Sequence, residues 1–156
     1  MTCFLISGAT GFVGTNFLLN LTSEDQFRVL SRNPSNAAKH CKSLDCEAEF
    51  LGAVEWEPTD GDPPALAFEA ITTLVNFSGE SVAEGRWTEA KKKRIYDSRV
   101  NGTQNLTNFL LRGSHNIDTF LSCSAVGYYG FCDFNITVFI RTSFRFFSIN
   151  PKMLLK

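Results

Sequence analysis

Three glycines recur at a spacing of three in Gly8-Ala9-Thr10-Gly11-Phe12-Val13-Gly14, near the start of the chain. The apolar run Cys3–Ile6 precedes them, and Thr15–Leu21 follows with Phe17, Leu18 and Leu21 at helical spacing. A glycine turn between a strand and a helix can hold a pyrophosphate. One glycine makes the tight turn, one leaves room for the phosphates, and one lets the helix pack close to the strand. The helix start adds free N–H groups and the positive end of its dipole. Gly8, Thr10, Gly11, Phe12, Val13 and Gly14 are therefore candidate phosphate-side residues. The spacing is Gly-x-x-Gly-x-x-Gly rather than Gly-x-Gly-x-x-Gly, and the same residues could make a strand–helix turn that binds nothing.

A second chemical position is Ser31-Arg32, at the end of a strand expected over Phe27–Ser31. In a dinucleotide fold an acid here would bind a ribose 2′-hydroxyl, and a base would accept a 2′-phosphate. A hydroxyl and a guanidinium suit a phosphate, so the residues favour NADP over NAD. A surface arginine at a strand end is the alternative.

The elements that must position these residues follow from the pattern. Strands are expected at Cys3–Ile6, Phe27–Ser31, Ala53–Trp56, Thr73–Phe77 and Thr119–Cys123, and helices at Thr15–Leu21, Ser35–Ser43 and Thr88–Leu111. The alternation predicts an α/β fold, a Rossmann-like parallel sheet with flanking helices and right-handed crossovers. On the longest helix Ile95, Leu106, Phe109 and Leu110 can share a face, with Gly102 allowing a close approach. The run Lys91-Lys92-Lys93-Arg94 reads as a solvated helix face, because consecutive helical residues point in different directions. Trp87 reads as a packing anchor at the helix start.

Three later segments narrow the reading: Val75-Asn76-Phe77-Ser78-Gly79-Glu80-Ser81; Arg86-Trp87-Thr88 with Ser98-Arg99-Val100-Asn101-Gly102-Thr103; and Ser122-Cys123-Ser124-Ala125-Val126-Gly127-Tyr128-Tyr129-Gly130. With the glycine turn and Ser31-Arg32, their order and spacing over residues 1–130 resemble the epimerase-family proteins of the atypical short-chain dehydrogenase/reductase superfamily. The resemblance implies that Phe77 and Ser78 line the cofactor's adenosine or ribose and that Arg99 helps hold the cofactor. It implies that Ser124 bonds the carbonyl or hydroxyl of a sugar-like or other carbonyl substrate during hydride transfer. Without the resemblance, Phe77 could be core, Arg99 an ion-pair partner and Ser124 a strand-end hydroxyl.

Two departures accompany the resemblance. The Tyr-x-x-x-Lys acid/base pair of such reductases is missing: Cys132, Asp133 and Val100 stand four residues after Tyr128, Tyr129 and Tyr96. The pattern also stops at Gly130, so the fold is expected to be C-terminally truncated after its fifth strand, with an NADP-binding unit over 1–130 and an atypical tail over 131–156. That tail holds Phe131, Phe134, Phe139, Phe144, Phe146 and Phe147, and four bases against the single acid Asp133 make it +3. Either Thr137–Ile140 or Phe144–Ile149 could pair with the exposed fifth strand, or the tail could be aggregation-prone. The expected function is an NADP-binding, epimerase-like oxidoreductase fragment that turns over nothing by itself. The alternatives are a non-catalytic NADP-binding regulatory module and a non-functional product.

Bulk properties exclude other classes. A net charge of −1 supplies no field for nucleic acid or an anionic membrane. The five cysteines form no CxxC pair, and His40 and His115 are far apart, so no metal site is expected. With no signal peptide read at the N-terminus, free thiols in a reducing, cytoplasmic setting are the expectation.

Overall fold

The computed structural model describes residues 1–113 and 115–123. Strands β1 (Cys3–Ser7), β2 (Gln26–Ser31), β3 (Glu49–Glu55), β4 (Thr73–Asn76) and β5 (Thr119–Ser122) alternate with helices α1 (Phe12–Leu18), α2 (Pro34–Ser43) and α3 (Glu89–Leu111). A short 3-10 turn, Ala65–Phe68, precedes β4. All strand pairs are parallel, in the order β3-β2-β1-β4-β5. This is the Rossmann-like sheet with flanking helices that the alternation predicted.

Period-two alternation sends neighbouring residues to opposite faces of the sheet. Ile6, Val29 and Val75 join Leu18 of α1 and Ala37 and Cys41 of α2 in one core. Their neighbours Leu5, Leu30 and Leu74 join Trp56, Phe68 and Leu106 of α3 in the other. Both faces of the central strands are covered, which is why these strands read as continuous apolar runs. On α3, Gly102 meets Pro58 closely: a Cβ there would lie 2.9 Å from the proline Cβ.

Several boundaries differ from the expectation. Helix α1 starts three residues earlier and ends at Leu18, because Asn20 and Leu21 close the chain with bonds to the carbonyls of Phe17 and Leu18. Leu21 is still buried, but from the turn. Strand β3 starts at Glu49, not Ala53. Its pairing with β2 steps over Leu51, and Gly52 adopts φ +136°, so a bulge interrupts an apolar run that reads as broken at the glycine.

The basic run is not a solvated face throughout. Lys91 is only 6% exposed and its Nζ lies 2.9 Å from Glu80 Oε1, whereas Lys92 and Lys93 pair with Glu89 and Asp97 along the helix. Trp87 is no packing anchor. It is 61% exposed, and its indole N–H donates to the Val82 carbonyl. Strand β5 pairs with β4 among the described residues. The proposed partner strands in the tail, and the division at residue 130, lie outside the described residues.

Candidate functional site

The strand order places a topological switch point between β1 and β4. The chain moves outward through β2 and β3, then crosses back to the other side of β1. Crevices beyond the carboxyl ends of strands at such a point receive ligands in α/β folds. An open cleft of about 240 Å³ lies there, built from the residues that leave β1 (Ser7–Gly11), β2 (Ser31 and Arg32), β3 (Trp56–Pro58) and β4 (Phe77–Glu80).

The glycines of the first turn have separate physical roles. Gly8 adopts φ +76°, and a Cβ there would sit 2.6 Å from the Phe77 carbonyl carbon. The first turn and the loop after β4 therefore touch backbone to backbone. Gly14 faces inward: its Cβ would strike the Gly8 carbonyl oxygen and lie 2.6 Å from Ala9 Cα. Gly11 differs from both. Its φ of −77° suits any residue, and a Cβ there would meet only the Gly8 oxygen, at 3.4 Å. The protein's own packing does not require a glycine at 11, and this glycine lines the cleft.

Helix α1 begins at that point with Gly11 as its N-cap and no side-chain cap. Its first backbone bond joins the Thr15 N–H to the Gly11 carbonyl. The N–H groups of Phe12, Val13 and Gly14 consequently lack helical acceptors and open at the cleft end of the helix. The side chains of Phe12 and Val13 are exposed and do not line the cleft, whereas Thr10 lines its rim.

Ser31 and Arg32 also line the cleft. The Ser31 hydroxyl accepts from the Asn33 N–H at 3.2 Å, and Asn33 in turn caps α2 by accepting from the Asn36 N–H. Arg32 is exposed and makes no side-chain hydrogen bond or ion pair among the described residues. Phe77 has a double role. Its ring packs edge-on against Phe17, centroids 5.3 Å apart, while the residue borders the cleft. Ser78 turns its hydroxyl to Asn76 Oδ1 at 2.5 Å, and its N–H donates to the same oxygen.

Arg99 is not among the cleft-lining residues. Its guanidinium lies across Gly79 and donates to the carbonyls of Glu80, at 3.1 Å, and Ile95. Ser124 lies outside the described residues. Sequence reasoning missed Glu57, Pro58, Glu80 and Ser98, all of which line the cleft. Ser98 accepts from the Glu80 N–H at 2.9 Å. Glu80 is bonded to Lys91, and this charge-assisted bond holds its carboxyl below the ordinary range. Residue types alone give only the presence of Glu80 in its motif, with nothing to say that it reaches α3.

Comparison with known proteins decides the family. The family model described as the NAD dependent epimerase/dehydratase family matches residues 4–143. The chain belongs to this family. An epimerase family protein of Mycobacterium leprae is 28% identical over 127 residues, covering 80% of this chain and 36% of that protein. The epimerase family protein YfhF of Bacillus subtilis is 30% identical over 126 residues, covering 80% and 38%. This chain thus spans little more than a third of the length of these relatives. A short-chain dehydrogenase/reductase superfamily protein from Agrobacterium tumefaciens, crystallised with bound NAD, superposes with a TM-score of 0.56 at 19% identity, over 82% of this chain and 34% of that one. The epimerase-family resemblance read from the motifs is therefore correct, and the fold is one that binds NAD or NADP. Among the described residues, no helix is long and apolar enough to cross a membrane.

Proposed function

We propose that this epimerase-family chain holds NADP(H) in the cleft at the switch point, within a cofactor-binding unit over residues 1–130. One observation carries the reading: Gly11 is a glycine that the protein's own packing does not need, at a helix start whose N–H groups lack acceptors. A pyrophosphate supplies both the acceptors and the reason for a bare Cα. Gly8, Thr10, Gly11, Phe12, Val13 and Gly14 form its cradle, the first two and Gly11 along the cleft, Phe12 and Val13 through their backbone, and Gly14 by seating the helix.

Arg32 meets the 2′-phosphate with the Ser31 hydroxyl beside it, and the adenosine side is bordered by Phe77 and Ser78. Arg99 acts from behind, through the loop it holds, rather than by touching the cofactor. A bound nicotinamide cofactor supplies hydride chemistry. What this chain's residues contribute is binding and orientation. In a longer relative, Ser124 would bond a sugar-like or other carbonyl substrate, the protein working in the cytoplasm. Without a Tyr-x-x-x-Lys pair this chain by itself is expected to consume no NADPH across a panel of carbonyl compounds.

Glu57 favours a second reading, NAD, because it is an acid among the residues that line the same cleft as Arg32. Titration of NADPH and NADH by nucleotide fluorescence separates the two. The NADP reading expects Arg32→Ala to weaken NADPH by about ten- to a hundredfold, the equivalent of one lost charge-assisted contact, with NADH little changed. Tighter binding of NADH to the wild type sinks the NADP assignment, and binding of neither sinks the cofactor reading.

A further inference from the structure

Lys91 stands where two effects oppose a cation. It is the third residue of α3, near the positive end of the helix dipole, and it is buried. Its side chain nevertheless reaches the loop after β4 and meets the Glu80 carboxylate at 2.9 Å. Glu80 is tied to α3 through its N–H, its carbonyl and one carboxylate oxygen. Its N–H donates to Ser98 Oγ at 2.9 Å, its carbonyl accepts from Arg99 Nη1 at 3.1 Å, and its carboxylate takes Lys91 with Arg94 Nε further off at 3.5 Å. The segment so fastened, Ser78–Glu80, is one wall of the cleft, but Lys91 does not line the cleft. The lysine end of this pair is buried and the carboxylate end partly exposed, with side chains 8% and 26% accessible. A pair so far withdrawn from water is a weak source of stability, and its better-attested use is to fix one arrangement among several.

We infer that the Glu80–Lys91 pair is a positioning device that locks the Ser78–Glu80 wall against α3 in the form that receives the dinucleotide. The inference rests on the cofactor reading above. Breaking the pair lets the wall relax, so binding must first re-order it and affinity falls without loss of any direct contact.

The test is a double-mutant cycle of Lys91→Met, Glu80→Gln and both together. Each protein is checked for folding by circular dichroism, then studied by amide exchange without cofactor and by NADPH and NADH titration well below its Tm. Lys91→Met is expected to keep or raise Tm, to speed exchange at 78–80, and to weaken whichever dinucleotide the wild type binds by about tenfold. Glu80→Gln lowers Tm by leaving a buried ammonium unpaired. The double variant binds no worse than Lys91→Met, because the two residues act as one unit.

Unchanged exchange in Lys91→Met overturns the lock. Faster exchange with wild-type affinity, or losses that simply add in the double variant, overturns the positioning role. If the wild type binds neither nucleotide the cofactor reading fails and takes the positioning role with it, while the exchange data still decide whether the pair locks the loop.

Discussion

Substituting alanine at each glycine of the first turn separates what the fold requires from what a ligand requires. At Gly8 the alanine must hold φ +76°, which costs about 1 kcal/mol or more. Its Cβ also lies 2.6 Å from the backbone of Phe77, and relieving that overlap costs about 1–3 kcal/mol. The sum is a loss of about 2–4 kcal/mol, a large part of a small domain's stability. At Gly14 the helix gains about 1 kcal/mol from alanine, set against overlap with the Gly8 oxygen and the Ala9 backbone of about 1–3 kcal/mol or more. A net loss is expected there too, smaller than at Gly8.

At Gly11 the backbone is ordinary, and the new Cβ makes one van der Waals contact at 3.4 Å. Only the preference of an N-cap for glycine over alanine acts, worth less than about 1 kcal/mol. Against a pyrophosphate, however, the methyl stands in front of the free N–H groups. Loss of one or two such charge-assisted bonds, at about 1.5–3 kcal/mol each, weakens binding by roughly tenfold to roughly twenty-thousandfold. Urea unfolding gives the stability of each variant, and fluorescence titration gives its affinity. A folded Gly11→Ala that binds NADPH as the wild type does refutes the phosphate cradle. A Gly11→Ala less stable than Gly8→Ala refutes the packing argument.

Other outcomes follow from the same geometry. The Glu80 carboxyl is held below its ordinary range by its bond to Lys91, and Asp25 by the N–H and hydroxyl of Thr22, bonded at 3.0 and 2.9 Å. Groups with depressed folded-state pKa values add stability that is complete above the ordinary carboxylate range and is lost as pH falls through the folded values. The acid side of a Tm–pH profile should therefore fall less steeply in Asp25→Asn, and a fall as steep as the wild type's counts against this account. Burial pushes the Cys41 thiol up to about 11, so it should resist iodoacetamide at pH 8 until the protein unfolds. Peptide mapping of native and urea-unfolded samples checks this, and ready labelling in the native sample would contradict it.

Much of this protein was legible without coordinates, and the reason is locality. The glycine turn, the strand–helix alternation and Ser31-Arg32 are contiguous in the chain, so their spacing carries their geometry. The family could be read for the same reason, from three motifs whose residues stand close together in the chain. What the sequence concealed involves partners far apart along it. Nothing in the string says that Gly8 touches Phe77, that Gly102 seats Pro58, or that Lys91 leaves its basic run to meet Glu80. Runs of like charge read as solvated faces because burial is set by whichever element packs against the helix. The bulge at Gly52 and the early close of α1 were hidden likewise, since both are settled by pairing and turn bonds rather than by composition. The opening glycines show both sides. Sequence alone determined that a phosphate-binding turn could form there. Tertiary packing decided which glycines the fold itself requires and left Gly11 as one that it does not, because only the neighbouring backbone shows where a Cβ has room.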